Sequence, residues 1–180
     1  MKYLKYTILA LLSLPLTLVA FILAPILPLF ASKDGWLPKW LWWFQTPDNS
    51  LDGDTGWFNE HWQWRYALPT PLCTYVGRVG WLWRNPAYAF GCEYIDGFLP
   101  VTYRGDPTIG DNQTAKEGWL YVEVGELFQF TYVKRIASTN KCFYVNFGWN
   151  IRALTDSNNA RKEYEATFVF SPRISGFYKE

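Results

Sequence analysis

From Thr7 to Ala31 the chain reads TILALLSLPLTLVAFILAPILPLFA without one charge, between Lys2 and Lys5 on one side and Lys33 and Asp34 on the other. An uncharged run of this length predicts a helix able to cross hydrocarbon, which needs roughly 20 apolar residues. A cleaved signal peptide shares the basic start, but its apolar core is usually about 7 to 15 residues, and Leu29 with Ala31 is a poor small-x-small cleavage site. The pattern therefore predicts an uncleaved anchor over residues 1–32. Pro15, Pro25 and Pro28 remove backbone donors, so a kink is expected, with the helix ending or loosening near Ala24.

In the segment that follows, DGWLPKWLWWFQTP, Trp36, Trp40 and Trp43 fall at i, i+4 and i+7, with Trp42, Leu37 and Leu41 beside them. At helical spacing this is one stripe of indoles. It predicts an interfacial helix at headgroup level, with Trp36, Trp40, Trp42 and Trp43 as an aromatic belt; the competing reading packs the same rings on a globular domain. Beyond His61 no acid occurs until after Cys92, while Arg65, Arg78 and Arg84 interleave with WQW and WLW. That is either a basic aromatic surface for anionic lipid or a single nucleic-acid strand, or a packed core with solvated arginines, and three arginines over so long a stretch favour the core. A second span is not expected, because Arg78 and Arg84 would each cost about 2.5 to 3.5 kcal/mol at a bilayer centre.

The period changes in the second half. Tyr121–Val124, Phe128–Ile136, Cys142–Leu154 and Glu165–Ser171 are rich in β-branched and aromatic residues that partly alternate, and polar turns separate them. They predict an antiparallel meander with a hairpin connection at 137–141 and a long polar loop over 104–118. The expected fold class is α+β: an N-terminal transmembrane helix over 1–32, a Trp-rich juxtamembrane region over 33–92, and a β-rich domain over 93–180 that packs with 45–92 as one unit.

Composition sharpens the picture at two points. One residue in five is aromatic among 180, from 11 Trp, 12 Tyr and 13 Phe, as expected of a small β-rich core or of membrane-interface rings. The net charge is only +1, too weak a field to recruit nucleic acid by counterion release. The odd set Cys73, Cys92 and Cys142 leaves at least one thiol free. With His61 the chain's single imidazole and no C-x-x-C pair, a zinc site is not expected.

One stretch, PDNSLDGDTGW, carries candidate chemistry. Asp48, Ser50 and Asp52 fall at positions 1, 3 and 5 of an oxygen-ligand calcium loop, Gly53 sits at position 6, and Asp54 at position 7 offers a carbonyl. Position 12 falls on Asn59, with Glu60 one place late, so the bidentate ligand is missing. An Asx-rich turn that reverses the chain and caps a following helix explains the same residues without metal, and no cofactor is expected. Glu60 and His61 are the candidates for acid-base catalysis with the nearby aspartates; one histidine among tryptophans is more often a packed ring. No G-x-S-x-G, H-E-x-x-H or phosphate-cradling loop occurs.

The phrases WLWWFQTPDNSLDGDTGW, RVGWLWRNPAYAFG and NFGWNI together resemble a set of uncharacterised membrane-anchored proteins of tailed bacteriophages. The resemblance covers most of the chain after the anchor and implies a bacterial host membrane without a mechanism. The expectation is a single-span protein of the host inner membrane, its domain periplasmic, that binds at the envelope to alter the membrane, exclude a second phage or assist lysis. Its expected partners are the bilayer and an envelope protein of host or phage. An envelope-acting hydrolase built on Glu60 and His61, and a holin-like protein, are the alternatives.

Overall fold

A computed structural model describes residues 1–96, 100–109, 116–151 and 163–177. The fold is α+β. Three helices come first, α1 Lys2–Leu23, α2 Thr55–His61 and α3 Thr70–Arg84, with short 3-10 helices at Leu27–Phe30, Lys39–Phe44 and Gln63–Ala67. Among the described residues, seven strands follow: β1 Glu93–Asp96, β2 Val101–Gly105, β3 Gly118–Val124, β4 Leu127–Arg135, β5 Lys141–Trp149, β6 Glu163–Ala166 and β7 Phe168–Gly176. Antiparallel pairing runs in the order β2-β3-β4-β5-β7, and β1 pairs with β6 in a separate ribbon.

The apolar helix begins earlier and ends sooner than the uncharged run from Thr7 to Ala31. Lys2 and Lys5 lie inside α1, and the helix stops at Leu23. Pro25 is the physical reason, since the residue before a proline is driven out of the α region and the ring cannot donate back. Pro28 then sits in the first turn of a 3-10 helix, where a missing donor costs nothing. Pro15 lies within the helix.

Several strand limits also differ. The predicted strand from Cys142 ends at Trp149, and 152–154 lie outside the described residues. Glu165–Ser171 is not one strand, because Thr167 separates β6 from β7 and the two belong to different sheets. Arg104 and Gly105, expected in a loop, form the end of β2; this edge strand is exposed along its whole length, and so carries no burial pattern to read. The β4–β5 connection falls at 136–140, where the Ile136 N–H donates to the Lys141 carbonyl at 2.9 Å.

The chain divides into two compact units, one of Met1–Tyr6 with Cys92–Glu180 and the other of Thr7–Gly91. In the first, one face of the sheet is buried along β3, β4 and β5 and carries a polar row: Gln129, Thr131 and Asn146 are all buried. Burial of amides is tolerated because they satisfy each other. Gln129 Nε2 donates to Asn146 Oδ1 at 3.3 Å, and Gln129 Oε1 accepts from the Ile151 N–H at 3.1 Å.

The opposite face receives the start of α1. Tyr3 and Tyr6, on adjoining turns, pack against Phe128 at 5.1 and 5.2 Å between ring centroids, and Tyr6 also meets Trp149 at 5.8 Å and Phe168 at 5.3 Å. Each such ring pair is worth about 0.5 to 1.5 kcal/mol beyond the area it buries. The Tyr6 hydroxyl donates to the Val169 carbonyl at 3.1 Å. Charge closes the contact on both sides: Lys2 pairs with Glu123, and Lys5 with Glu93 at 2.6 Å.

The second unit is organised around Phe58, Leu51, Trp81 and Leu82, with Ala20 of α1 and Ala24 just after it in the same cluster. Glycine makes the α3 side of this packing feasible. A Cβ on Gly80 would stand 2.8 to 3.0 Å from three carbons of the Trp62 ring, and Gly53, at φ +66°, lies against Trp81. The three arginines are held by the protein. The Arg65 guanidinium lies 3.8 Å above the Phe58 ring, and Arg84 is 4.9 Å from Trp57 and 5.1 Å from Trp81.

Two predictions follow from these contacts. Gly80→Val forces a Cβ and two methyl groups into the Trp62 contact, so chemical denaturation should show a loss of about 2 kcal/mol. The second concerns acid. The ion pair with Lys2, and next the Tyr121 hydroxyl, hold the Glu123 carboxyl below its ordinary value of 4.5. A depressed carboxylate stabilises the fold above its unfolded value, and that stability is lost as pH falls through the folded one. Melting temperature should therefore drop on acidification below about pH 4.5, and Glu123→Gln should show a shallower drop than wild type.

Candidate membrane-facing site

The aromatic segment is built differently from the helical stripe its spacing suggests. Lys39–Phe44 forms a 3-10 helix, and Trp36 lies before it in irregular chain, so Trp36, Trp40 and Trp43 do not share one α-helical face. Pro38 stands just before the first turn with extended backbone, which limits the helix on its N-terminal side. With three residues per turn, Trp40 and Trp43 are eclipsed on one edge.

Burial divides this segment cleanly. Leu37, Leu41 and Phe44 are buried, while Trp40 is 71% exposed, Trp43 57% and Trp36 38%. Gln45 fixes the backbone beneath the indoles: its Oε1 accepts from the Leu37 N–H at 2.8 Å, and its carbonyl accepts from the Ala89 N–H at 2.9 Å. Trp36, Trp42, Trp43 and Lys39 line an open groove of about 570 Å³ over this anchor. Two further rings extend the surface, Phe30 edge-on to Trp40 at 5.7 Å and Phe90 edge-on to Trp43 at 5.7 Å. Leu29 beside them is 72% exposed.

This apolar surface continues into α1. Leu4, Ile8, Leu11, Leu12, Leu18, Val19 and Ile22 are exposed, while Ala10 and Ala20 are buried and Ser13, Leu16 and Thr17 half-buried. At 3.6 residues per turn the exposed set occupies about half the helix circumference and the covered set the other half. A half-cylinder of large aliphatic side chains open to solvent far exceeds the scattered apolar residues of an ordinary surface.

The acidic turn takes its place beside this surface as architecture. Asp52 is engaged at both oxygens, Arg78 Nε donating at 2.7 Å and Nη2 at 3.0 Å, while the same guanidinium reaches the Ser32 and Lys33 carbonyls. Asp54 caps α2, its side chain accepting from the Gly56 N–H at 2.8 Å. Ser50 Oγ accepts from the Asp52 N–H at 3.3 Å, and Asp48 is exposed. Among the described residues no three His, Cys, Asp or Glu side chains gather to hold a metal.

Glu60 and His61 stand on the last turn of α2, both exposed. The His61 ring stacks on Trp57 at 5.7 Å, and its Nδ1 faces the Trp57 carbonyl at 3.2 Å. A carbonyl only accepts, so this nitrogen carries the proton. The Glu60 carboxylate is 3.8 Å from the ring. The pair lies outside the groove, whose lining it does not share. Cys73 is a half-buried free thiol, and Cys142 is buried.

A comparison with known families places the chain. Residues 1–175 match DUF7338, a family of unknown function. The chain belongs to that family. The match covers α1 as well as most of the sheet. No curated protein and no solved structure matches the chain.

What sequence reasoning missed in this DUF7338 chain is the receiving surface for α1. Tyr3 and Tyr6 flank Lys5 in YLKY, a pattern equally suited to the aromatic and basic border of a span, and their partners lie more than a hundred residues away in the chain.

The Asp52–Arg78 pair supplies the prediction here. Asp52→Asn keeps the shape and removes the charge, leaving a half-buried guanidinium with carbonyl partners alone, for an expected loss of about 1 to 2 kcal/mol in chemical denaturation. Added calcium should leave the melting temperature of the wild type where it was.

Proposed function

We propose that this chain is a membrane-bound binding protein of the bacterial host envelope, encoded by a phage, whose partners are the bilayer and an envelope protein of host or phage. The single observation that carries the reading is the apolar surface formed by the exposed side of α1 with Phe30, Trp40 and Trp43. Indoles tolerate the headgroup region because the ring is apolar and its N–H is polar, while aliphatic side chains gain from leaving water altogether. α1 is long and apolar enough to span a membrane. The phage origin and the host membrane rest on the resemblance of WLWWFQTPDNSLDGDTGW and RVGWLWRNPAYAFG to membrane-anchored phage proteins, and the periplasm-facing placement on the sequence expectation of an uncleaved anchor with its N-terminus inside.

Binding suits the sheet as well. On the face that receives Tyr3 and Tyr6, the side chains of Trp119, Tyr132, Phe143, Phe170 and Ile174 are also exposed, an aromatic surface suited to a protein partner. The titratable residues of α2 lend less to a hydrolase. Glu60 and His61 are solvated, and general acid-base chemistry needs a substrate held within hydrogen-bond reach of the group that moves the proton.

The test compares two variants in host cells at equal abundance. Trp36, Trp40 and Trp43 are replaced together by Ala in one, and His61 by Ala in the other. The phenotype caused by the wild type should weaken in the first and persist in the second, with membrane fraction and protease resistance used to show that both variants remain folded. Loss of the phenotype in His61→Ala alone would reverse the assignment in favour of hydrolysis.

A further inference from the structure

We infer that α1 lies in the plane of the membrane, half-immersed through the face that carries Leu4, Ile8, Leu11, Leu12, Leu18 and Ile22, and does not cross the bilayer. The inference rests on the membrane reading above and goes beyond it by fixing how the chain meets the lipid.

The argument is one of parity. The first residues of α1 belong to the same compact unit as everything from Cys92 onward. They are tied into it by Tyr3 and Tyr6 on Phe128, Trp149 and Phe168, and by the pairs Lys2–Glu123 and Lys5–Glu93. A chain that leaves this unit at Tyr6 and re-enters it at Cys92 must cross a bilayer an even number of times in between. If α1 crosses, a second crossing must lie within 24–91. All of those residues are described, and α1 is the one helix among the described residues with the length and apolarity to span. The longest later helix, α3, has 15 residues and carries Arg78 and Arg84. The even number is therefore zero.

A dip into the bilayer and back is the other zero-crossing path, and charge argues against it. Lys33, Asp34 and Lys39 follow α1 closely and are exposed. A helix inserted end-on would carry these side chains toward the hydrocarbon centre, where ionised groups are strongly disfavoured. In-plane placement keeps Lys2 and Lys5 at the start of α1, and Lys33, Asp34 and Lys39 in the chain beyond its end, at the headgroups, and lets the exposed apolar half of α1 reach the acyl boundary. Lys2 and Lys5 are spent on Glu123 and Glu93, so neither charge has to be carried into lipid. The indole edge of Trp40 and Trp43 follows in the chain through Ile26, Leu29 and Phe30, all exposed, as a belt at the same depth.

Lipid is the occupant that this surface selects. From Ile8 onward, past Tyr3, Lys5 and Thr7, the exposed positions of α1 hold apolar side chains, among them Ile8, Leu11, Leu12, Leu18, Val19 and Ile22, so a protein partner would find no side-chain hydrogen bond to set its register along this stretch.

The experiment uses the full chain in cell-derived membranes. Asp34→Cys, just after α1, and Glu126→Cys, in the exposed β3–β4 turn, are treated with an impermeant maleimide in right-side-out and in inverted vesicles, and labelling is read site by site by peptide mass. Both sites should react in the same preparation, and neither in the other. Reaction in opposite preparations would overturn the inference while leaving the membrane reading intact. Lys33→Cys serves as a second reporter should Asp34→Cys lower abundance. Depth is read separately from a fluorophore on Leu11→Cys, in phosphatidylethanolamine and phosphatidylglycerol vesicles containing brominated lipid. Bromine near the headgroup should quench it more than bromine at the chain terminus. The reverse order indicates a span, and quenching by neither indicates a protein on this face; either result defeats the proposal. Recovery of the wild type in the soluble fraction would defeat this inference and the proposed function together.

Discussion

The contact of Tyr3 and Tyr6 with the sheet constrains everything else in this molecule. It is made by the first turns of the most apolar helix in the chain, and it joins them to β4, β5 and β7 across more than a hundred residues. The two phenolic rings do what lysines alone could not. Exposed ion pairs contribute about 0 to 1 kcal/mol each, whereas two rings lodged among Phe128, Trp149 and Phe168 remove a substantial apolar area from water. The pairs Lys2–Glu123 and Lys5–Glu93 then act as orienting partners on either side. Tyr121 joins them, its phenol pushed well above the ordinary value by burial and by the neighbouring Tyr3 and Glu123, so it stays protonated and donates to the Glu123 carboxylate at 3.0 Å.

That contact shows why the limits of the elements were harder to read than their kinds. The β4 strand was legible because LFQFTYVKR alternates strongly and is rich in β-branched and aromatic residues. Strand β2 was not, because VTYRG is a fully exposed edge whose place is set by pairing with β3 alone. The spacing of Trp36, Trp40 and Trp43 fitted an α-helix, yet Pro38 falls between the first two, and a proline boundary outweighs a periodicity carried by three residues. At the start of α1 the ambiguity is chemical. Tyr and Lys near an apolar run suit a membrane border and a docking contact equally well, and only the fold supplies the partners that separate the two.

The acidic turn shows the reverse case, in which local residues carried enough. Asp54 stands at the N-cap of α2 and Ser50 closes a turn on the Asp52 N–H, two arrangements that short polar side chains form within a few residues of themselves. The partner of Asp52 was not local. Arg78 lies 26 positions on in α3, and its guanidinium also accepts the task of satisfying the Ser32 and Lys33 carbonyls where the chain leaves the apolar segment. A carboxylate held bidentately by arginine is geometrically committed, so the turn reads as the joint between the end of the apolar segment and α3.

With Arg78 committed to that joint, Arg65 to Phe58 and Arg84 to Trp57 and Trp81, the unit formed by Thr7–Gly91 directs its named arginines toward its own rings and carbonyls. Beside exposed charges such as Lys33, Asp34, Lys39 and Glu60, it also presents large apolar groups outward: the open half of α1, then Leu29, Phe30, Trp40 and Trp43. A soluble protein arranges these two classes the other way round, with charge outward and large apolar groups within. Side-chain size follows the same division in part, since the small residues Ala10 and Ala20 face inward on α1 beside Leu16 and Leu23, while Ile8, Leu11, Leu12, Leu18 and Ile22 face out. Small residues on the packed side allow close approach of the helix to its neighbours, and large ones on the open side maximise the area available to a non-aqueous phase. The distribution of side-chain size around α1 thus points to the same conclusion as the distribution of charge, and the two are independent readings of one surface.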